Sequence, residues 1–153
     1  MLTDEQYTTR LGGKASIGEH LRHCVEHFSQ LLEGIDSGII DYDARRRNVI
    51  LEQSRAVFLS TTRDIAHRLT SFDERDMKRT VTVRMLFTPD TESVDVASTL
   101  GRELGFLSTH TIHHLAIIKI IAHSLGASLP DEVGVGHSTM AYRKDCSDSI
   151  RQA

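Results

Sequence analysis

Proline is almost missing from this chain, with 2 among 153 residues, so long helices can run without interruption and an extended disordered tail is not expected. Cysteine is as scarce. Cys24 lies in a helical pattern and Cys146 in a polar stretch near the end, which excludes a disulfide framework and points to free thiols in a reducing compartment. No charge excess exists either: 18 Lys and Arg against 21 Asp and Glu leave a net charge of −3, and nothing draws the whole molecule to nucleic acid. The one compact basic run, Arg45-Arg46-Arg47, reads as a solvated helix surface. Hydrophobic runs are short. The longest, Leu115 to Ala122, is interrupted by Lys119 and cannot span a bilayer. The opening Met1-Leu2-Thr3-Asp4-Glu5-Gln6 lacks the basic start and apolar run of a signal peptide. These absences together describe a cytoplasmic protein that binds neither nucleic acid nor membrane.

What the chain does contain is enough apolar material, 39% of residues, for one core, so residues 1–153 are read as a single mainly α domain. Residues 3–10 have room for one or two helical turns before Gly12-Gly13. Ser16, with Glu19 three residues on, offers a capping box for a helix whose Ile17, Leu21, Cys24, Phe28, Leu31 and Leu32 form one stripe. Gly34 is the expected end of that helix. Gly38 to Asp43 reads as a connection, and 44–69 as a second long helix with a weaker apolar face. Val81, Val83 and Met85 alternate with polar residues, as do Val94 and Val96 beyond Pro89-Asp90, which predicts a short β-hairpin. A lone hairpin is marginal in water, so its open edge is a reason to expect a homodimer. Thr99 or Ser98 then caps the last long helix, Leu100 to Leu125, closed by Gly126. The stretch 133–139 reads as irregular.

Nine histidines remain, and their placement is the main functional signal. His20, His23 and His27 fall along one edge of the first apolar stripe. His110 and His114 lie about 40° apart around the last helix and one turn apart along it, a geometry in which two imidazoles can chelate one ion. Helices that pack together can bring rings of the first set to this pair, and neutral imidazoles suit Zn, Ni or Fe(II). Spacing alone does not choose among His20, His23 and His27. The zincin pattern is absent, since Thr111, Ile112 and His113 stand between the pair. Glu103 lies near the same face but about 10 Å along the axis, too far for direct ligation.

The segments Ser16-Ile17-Gly18-Glu19-His20-Leu21-Arg22-His23-Cys24-Val25-Glu26-His27-Phe28 and Ser108-Thr109-His110-Thr111-Ile112-His113-His114-Leu115-Ala116-Ile117-Ile118 resemble the DinB-like superfamily of DNA-damage-inducible and YfiT-like metalloenzymes. The resemblance covers about residues 14–143 and implies a helical bundle, commonly dimeric, with a divalent ion on one early histidine and two later ones. Residue by residue it places the ligands at His23, His110 and His114. Two departures stand out: the first bundle helix is short or missing, and Gly136-His137 occupies a position where relatives tend to carry Ala-Pro. The expectation is a metal-dependent enzyme for a small substrate, a hydrolase or a transferase that uses a low-molecular-weight thiol. A metal-binding or dimeric stress-response scaffold without catalysis is the alternative.

Overall fold

A computed structural model describes residues 2–151, with side chains as far as residue 146. The element order is α1 (Asp4–Thr8), α2 (Ile17–Ser37), β1 (Ile39–Asp41), α3 (Val49–Gln53), α4 (Arg55–Leu69), β2 (Thr80–Met85), β3 (Val94–Thr99), α5 (Leu100–Ser124) and α6 (His137–Arg151). The expected mainly helical architecture with a β-hairpin ahead of the α5 helix is present, and the first helix is short.

Local chemistry sets the helix starts. The Ser16 hydroxyl accepts the Glu19 N–H while the Glu19 carboxylate accepts the Ser16 N–H, so both orphan donors at the head of α2 are satisfied. Thr99 alone caps α5, accepting the Arg102 N–H. At its other end α2 runs past Gly34 to Gly38, which takes the left-handed conformation at φ 75°. Gly34 serves a different purpose. A Cβ there would stand 2.6 Å from the Ile39 carbonyl oxygen and 2.9 Å from Ile40 Cα, so its missing side chain lets β1 cross the last turns of α2.

The connection expected at 38–43 is therefore partly a strand. β1 pairs in parallel with β2, Ile40 opposite Val83, and β2 pairs antiparallel with β3, Thr82 opposite Ala97. Val81 and Val83 face inward, as the alternation predicts. The helix expected over 44–69 starts only at Val49 and breaks at Ser54, whose extended backbone ends α3 and whose hydroxyl accepts the Val57 N–H to start α4. The break leaves the Leu51 carbonyl free to accept the Tyr7 hydroxyl at 2.6 Å, deep in the core. A further helix, α6, follows α5 where irregular chain and a polar stretch were expected.

α2 packs against α3, α4, α5 and β1, which makes it the central element. One core cluster, with Leu31, Leu32, Ile35, Ile40, Val81, Leu100 and Leu107, joins the sheet to the helices. A second, with Tyr7, Ile17, Ile118 and Ala122, seals the other end of α2 and α5. α5 is long and apolar enough to cross a bilayer by length and composition. It runs beside α2 with His110 and His114 turned toward that helix.

Substituting Gly34 by alanine forces a methyl group into the backbone of β1. We expect a stability loss of about 1–3 kcal/mol, the usual range for overpacking a core, measured by urea unfolding of purified protein. An unchanged midpoint would refute this account of the α2–β1 crossing.

Candidate metal centre

The α2–α5 contact gathers histidine rings from both helices. His23 lies at its middle, with ring centroids 4.3 Å from His27, 5.0 Å from His110 and 4.6 Å from His114. His110 and His114 are themselves 4.6 Å apart, as one helical turn dictates. His20 and His113 flank His114 at 5.1 and 5.5 Å. The rings of His23, His110 and His114 thus lie side by side with His27 among them, but the donor atoms that converge are those of His23, His27 and His110, and His114 lies outside that group.

Nitrogen positions refine this picture. Donor atoms of His23, His27 and His110 all lie within 4.8 Å of one another, a group that could hold a metal ion. His23 Nε2 and His110 Nε2 are 2.9 Å apart. His27 Nδ1–H donates to the His23 carbonyl at 2.8 Å, which fixes the tautomer and leaves the His27 Nε2 lone pair free. His114 Nδ1 faces His20 Nδ1 at 2.9 Å. With the proton on His114, His20 accepts it and the far nitrogen of His114 is left free as a donor to a metal.

Electrostatics favour neutral rings. Burial, followed by the neighbouring His27, His114, Arg45 and His110, pushes His23 down to about 3. Burial and the other imidazoles push His114 down to about 4, and burial is also the main cause of the lowered values at His20, His27 and His110. Uncharged imidazoles with free lone pairs are the form that binds Zn, Ni or Fe(II), so the donor set fits such an ion. Cys24 is not part of it: burial raises its thiol to about 11, and it lines an apolar cavity with Leu21, Phe28 and Leu115.

Aromatic and charged residues build the walls. Tyr42 stacks on His27 at 5.6 Å, and Phe106 stacks on His110 at the same separation. The Tyr42 hydroxyl donates to Glu103, a carboxylate with no exposed surface that also accepts from Ser98 and Arg102. Glu103 thus acts one layer behind the rings and touches none of them. Arg45 was expected on a solvated helix. It lies in irregular chain instead, half-buried, with one guanidinium nitrogen 2.7 Å from the Tyr42 carbonyl and the other 3.5 Å from His23 Nδ1. Glu26 explains this placement: on α2 beside His23 and His27, it accepts the Asn48 N–H at 2.7 Å and pins the 45–48 segment to the helix. Arg45, Tyr42 and Phe106 carried no signal in the sequence beyond their residue types. His137 meets Ser108, two residues before His110, at 3.1 Å.

Because the folded state holds these rings neutral, acid works against it. An unfolded chain takes up protons near 6.5, whereas folded His23 resists to about 3 and His114 to about 4. The associated stability is complete above pH 7 and is lost as pH falls from about 6.5 toward those values. Urea midpoints of metal-free protein at pH 7.5, 6.5 and 5.5 should fall in that order, and the fall should be shallower in His23→Ala. A midpoint independent of pH across this window would show that the rings are not held neutral.

Comparison with known proteins supplies the lineage. The chain is 32% identical over 111 residues to FK506-binding protein 5 of Rhizopus delemar, a match that covers 69% of this chain and 28% of that relative. It therefore spans little more than a quarter of the relative's length. No solved structure matches it. The sequence profile of the DinB superfamily matches residues 1–118, a span that holds α1 through most of α5 and every histidine of the cluster, and the chain belongs to that superfamily.

Proposed function

We propose that the protein is a divalent-metal-dependent enzyme for a small substrate, either a hydrolase that activates water or a transferase that activates a low-molecular-weight thiol. The observation that carries this reading is the convergence of imidazole donors from α2 and α5. His23, His110 and His114 are each only part-buried. In this reading they hold the ion, the ligand set that the resemblance implies, with Zn or Ni before Fe because neutral imidazoles suit them. When bound, the ion supplies Lewis acidity, which lowers the pKa of water or a thiol placed against it. The chain's own residues orient the donors: the His23 carbonyl sets the His27 ring, His20 sets His114, and Tyr42, held by Glu103, packs across His27.

His27 separates this from a second reading, a metal-binding scaffold without catalysis. Its free Nε2 lies in the converging group, so four histidines could close the shell and leave no place for a substrate. We expect His110→Ala and His114→Ala to lose stoichiometric zinc while keeping most of their helix content, and His27→Ala to retain one equivalent with affinity reduced by about 10–100-fold at most. Metal analysis with circular dichroism checks this. Loss of zinc from His27→Ala as complete as from His110→Ala would favour the closed, structural site, and full zinc retention by both His110→Ala and His114→Ala would end the metal reading.

We further propose a cytoplasmic homodimer in which the outer face of α5 meets a second copy. Support comes from Ile120, 69% exposed, on a helix of strongly apolar composition. Light scattering after size exclusion should give twice the 17.1 kDa chain mass, and Ile120→Glu should shift it to the monomer. A monomeric wild type would exclude the dimer.

A further inference from the structure

The histidine cluster has a charge of each sign beside it, Arg45 against His23 and, on the same segment, Asp43 acting on His27. Its donors are neutral imidazoles, and the converging group contains no carboxylate and no thiol. A divalent ion held there keeps its full charge, and Arg45 adds another. Among the described residues Arg45 has no carboxylate within ion-pair distance, whereas Arg22 pairs with Glu52, Arg55 with Asp4, Arg84 with Asp95 and Arg102 with Glu103. Among the described residues its polar contacts are the Tyr42 carbonyl and His23 Nδ1, and the second, at 3.5 Å, is long for a hydrogen bond. The first contact uses one end of the guanidinium fork and fixes its direction. The remaining donors have no strong acceptor.

Arg45 is also placed between two spaces. On one side is the His23 ring; on the other it lines a polar cavity of about 420 Å³ together with Ser29, Gln30, Glu33, Arg46 and Asn48. The Asn48 N–H bond to Glu26, with Glu26 5% exposed, holds this wall in place. Glu26 and Glu33 line the same cavity without pairing with Arg45, so its planar guanidinium is left able to take the carboxylate of a ligand.

We propose that Arg45 is the anion anchor of the centre, receiving the carboxylate of a small ligand whose other end is bound at the histidine cluster. One imidazole ring separates the guanidinium, at His23 Nδ1, from the facing Nε2 atoms of His23 and His110, a span for a ligand with two or three carbons between its metal-binding atom and its carboxylate. The polar cavity beyond Arg45 takes further polar groups on that ligand. The inference rests on the metal reading above and deepens it, since it names the class of substrate as carboxylate-bearing.

Two probes of matched length separate the anchor from the metal. Protein loaded with Co(II) is titrated with 3-mercaptopropionate and, separately, with 3-mercapto-1-propanol, and binding is read from the thiolate-to-cobalt absorption band. The wild type should bind the carboxylate-bearing thiol more than about tenfold more tightly than the neutral one, the yield of one charge-assisted pair. Arg45→Gln should bring the ratio near one with cobalt content unchanged, and Arg45→Lys should restore part of it. A purely structural Arg45 would change both affinities together and leave the ratio intact, which overturns the anchor. A ratio near one in loaded wild type overturns it as well. Failure to load cobalt at all strikes the metal reading first and the anchor with it, so the two failures are told apart by cobalt content.

Discussion

Everything in this molecule that bears on chemistry depends on α2 lying against α5. The contact is anchored at one end by Leu31, Leu100 and Leu107 and at the other by Ile17, Ile118 and Ala122, all buried. Between these apolar ends the facing residues are imidazoles. The helices cannot separate without exposing both cores, and the rings cannot all carry protons at such spacing. The packing energy of ordinary aliphatic side chains is thus what keeps the histidines close and uncharged.

Supporting layers follow from that contact. Tyr42 and Phe106 cover rings from the two helices, and Glu103 beneath Tyr42 ties this cover to α5 and to the end of β3 through Ser98. The break at Ser54 matters for the same reason. It lets α3 turn toward α1, where Tyr7 takes the freed Leu51 carbonyl, and the five-residue α1 packs on α2 as a short substitute for a full helix.

What could be read from the sequence was what local rules determine. Ser16 with Glu19, Thr99 ahead of α5, and the alternation around Val81 and Val83 each have causes within a few residues, and each appears as expected. β1 did not show because its cause is distant: Ile39–Asp41 become a strand only by pairing with Thr82–Arg84. Gly34 was mistaken for the end of α2 because a glycine at a crossing and a glycine at a left-handed cap are the same letter. Ser54 breaks a helix without glycine or proline, and α6 is too polar to announce itself by an apolar stripe. At the site, the His110–His114 spacing was legible from helix geometry. Which of His20, His23 and His27 would meet that pair was not, since residues one helical turn apart share a face and only the partner helix distinguishes them. Arg45 was misread because three adjacent arginines look solvated, and the bond that turns one inward comes from Glu26 on another element.

The two sides of the histidine cluster are far apart along the chain: His23 and His110 are separated by 87 positions. A permanent bridge across such a loop removes on the order of 4–5 kcal/mol of unfolded-chain entropy, and a reversibly bound ion does so in proportion to its occupancy. For this chain, which has no disulfide among its cysteines, metal supply would then govern lifetime as well as chemistry. Starved of the ion, the molecule would lose a conformational clamp, and its turnover in the cell would follow metal availability.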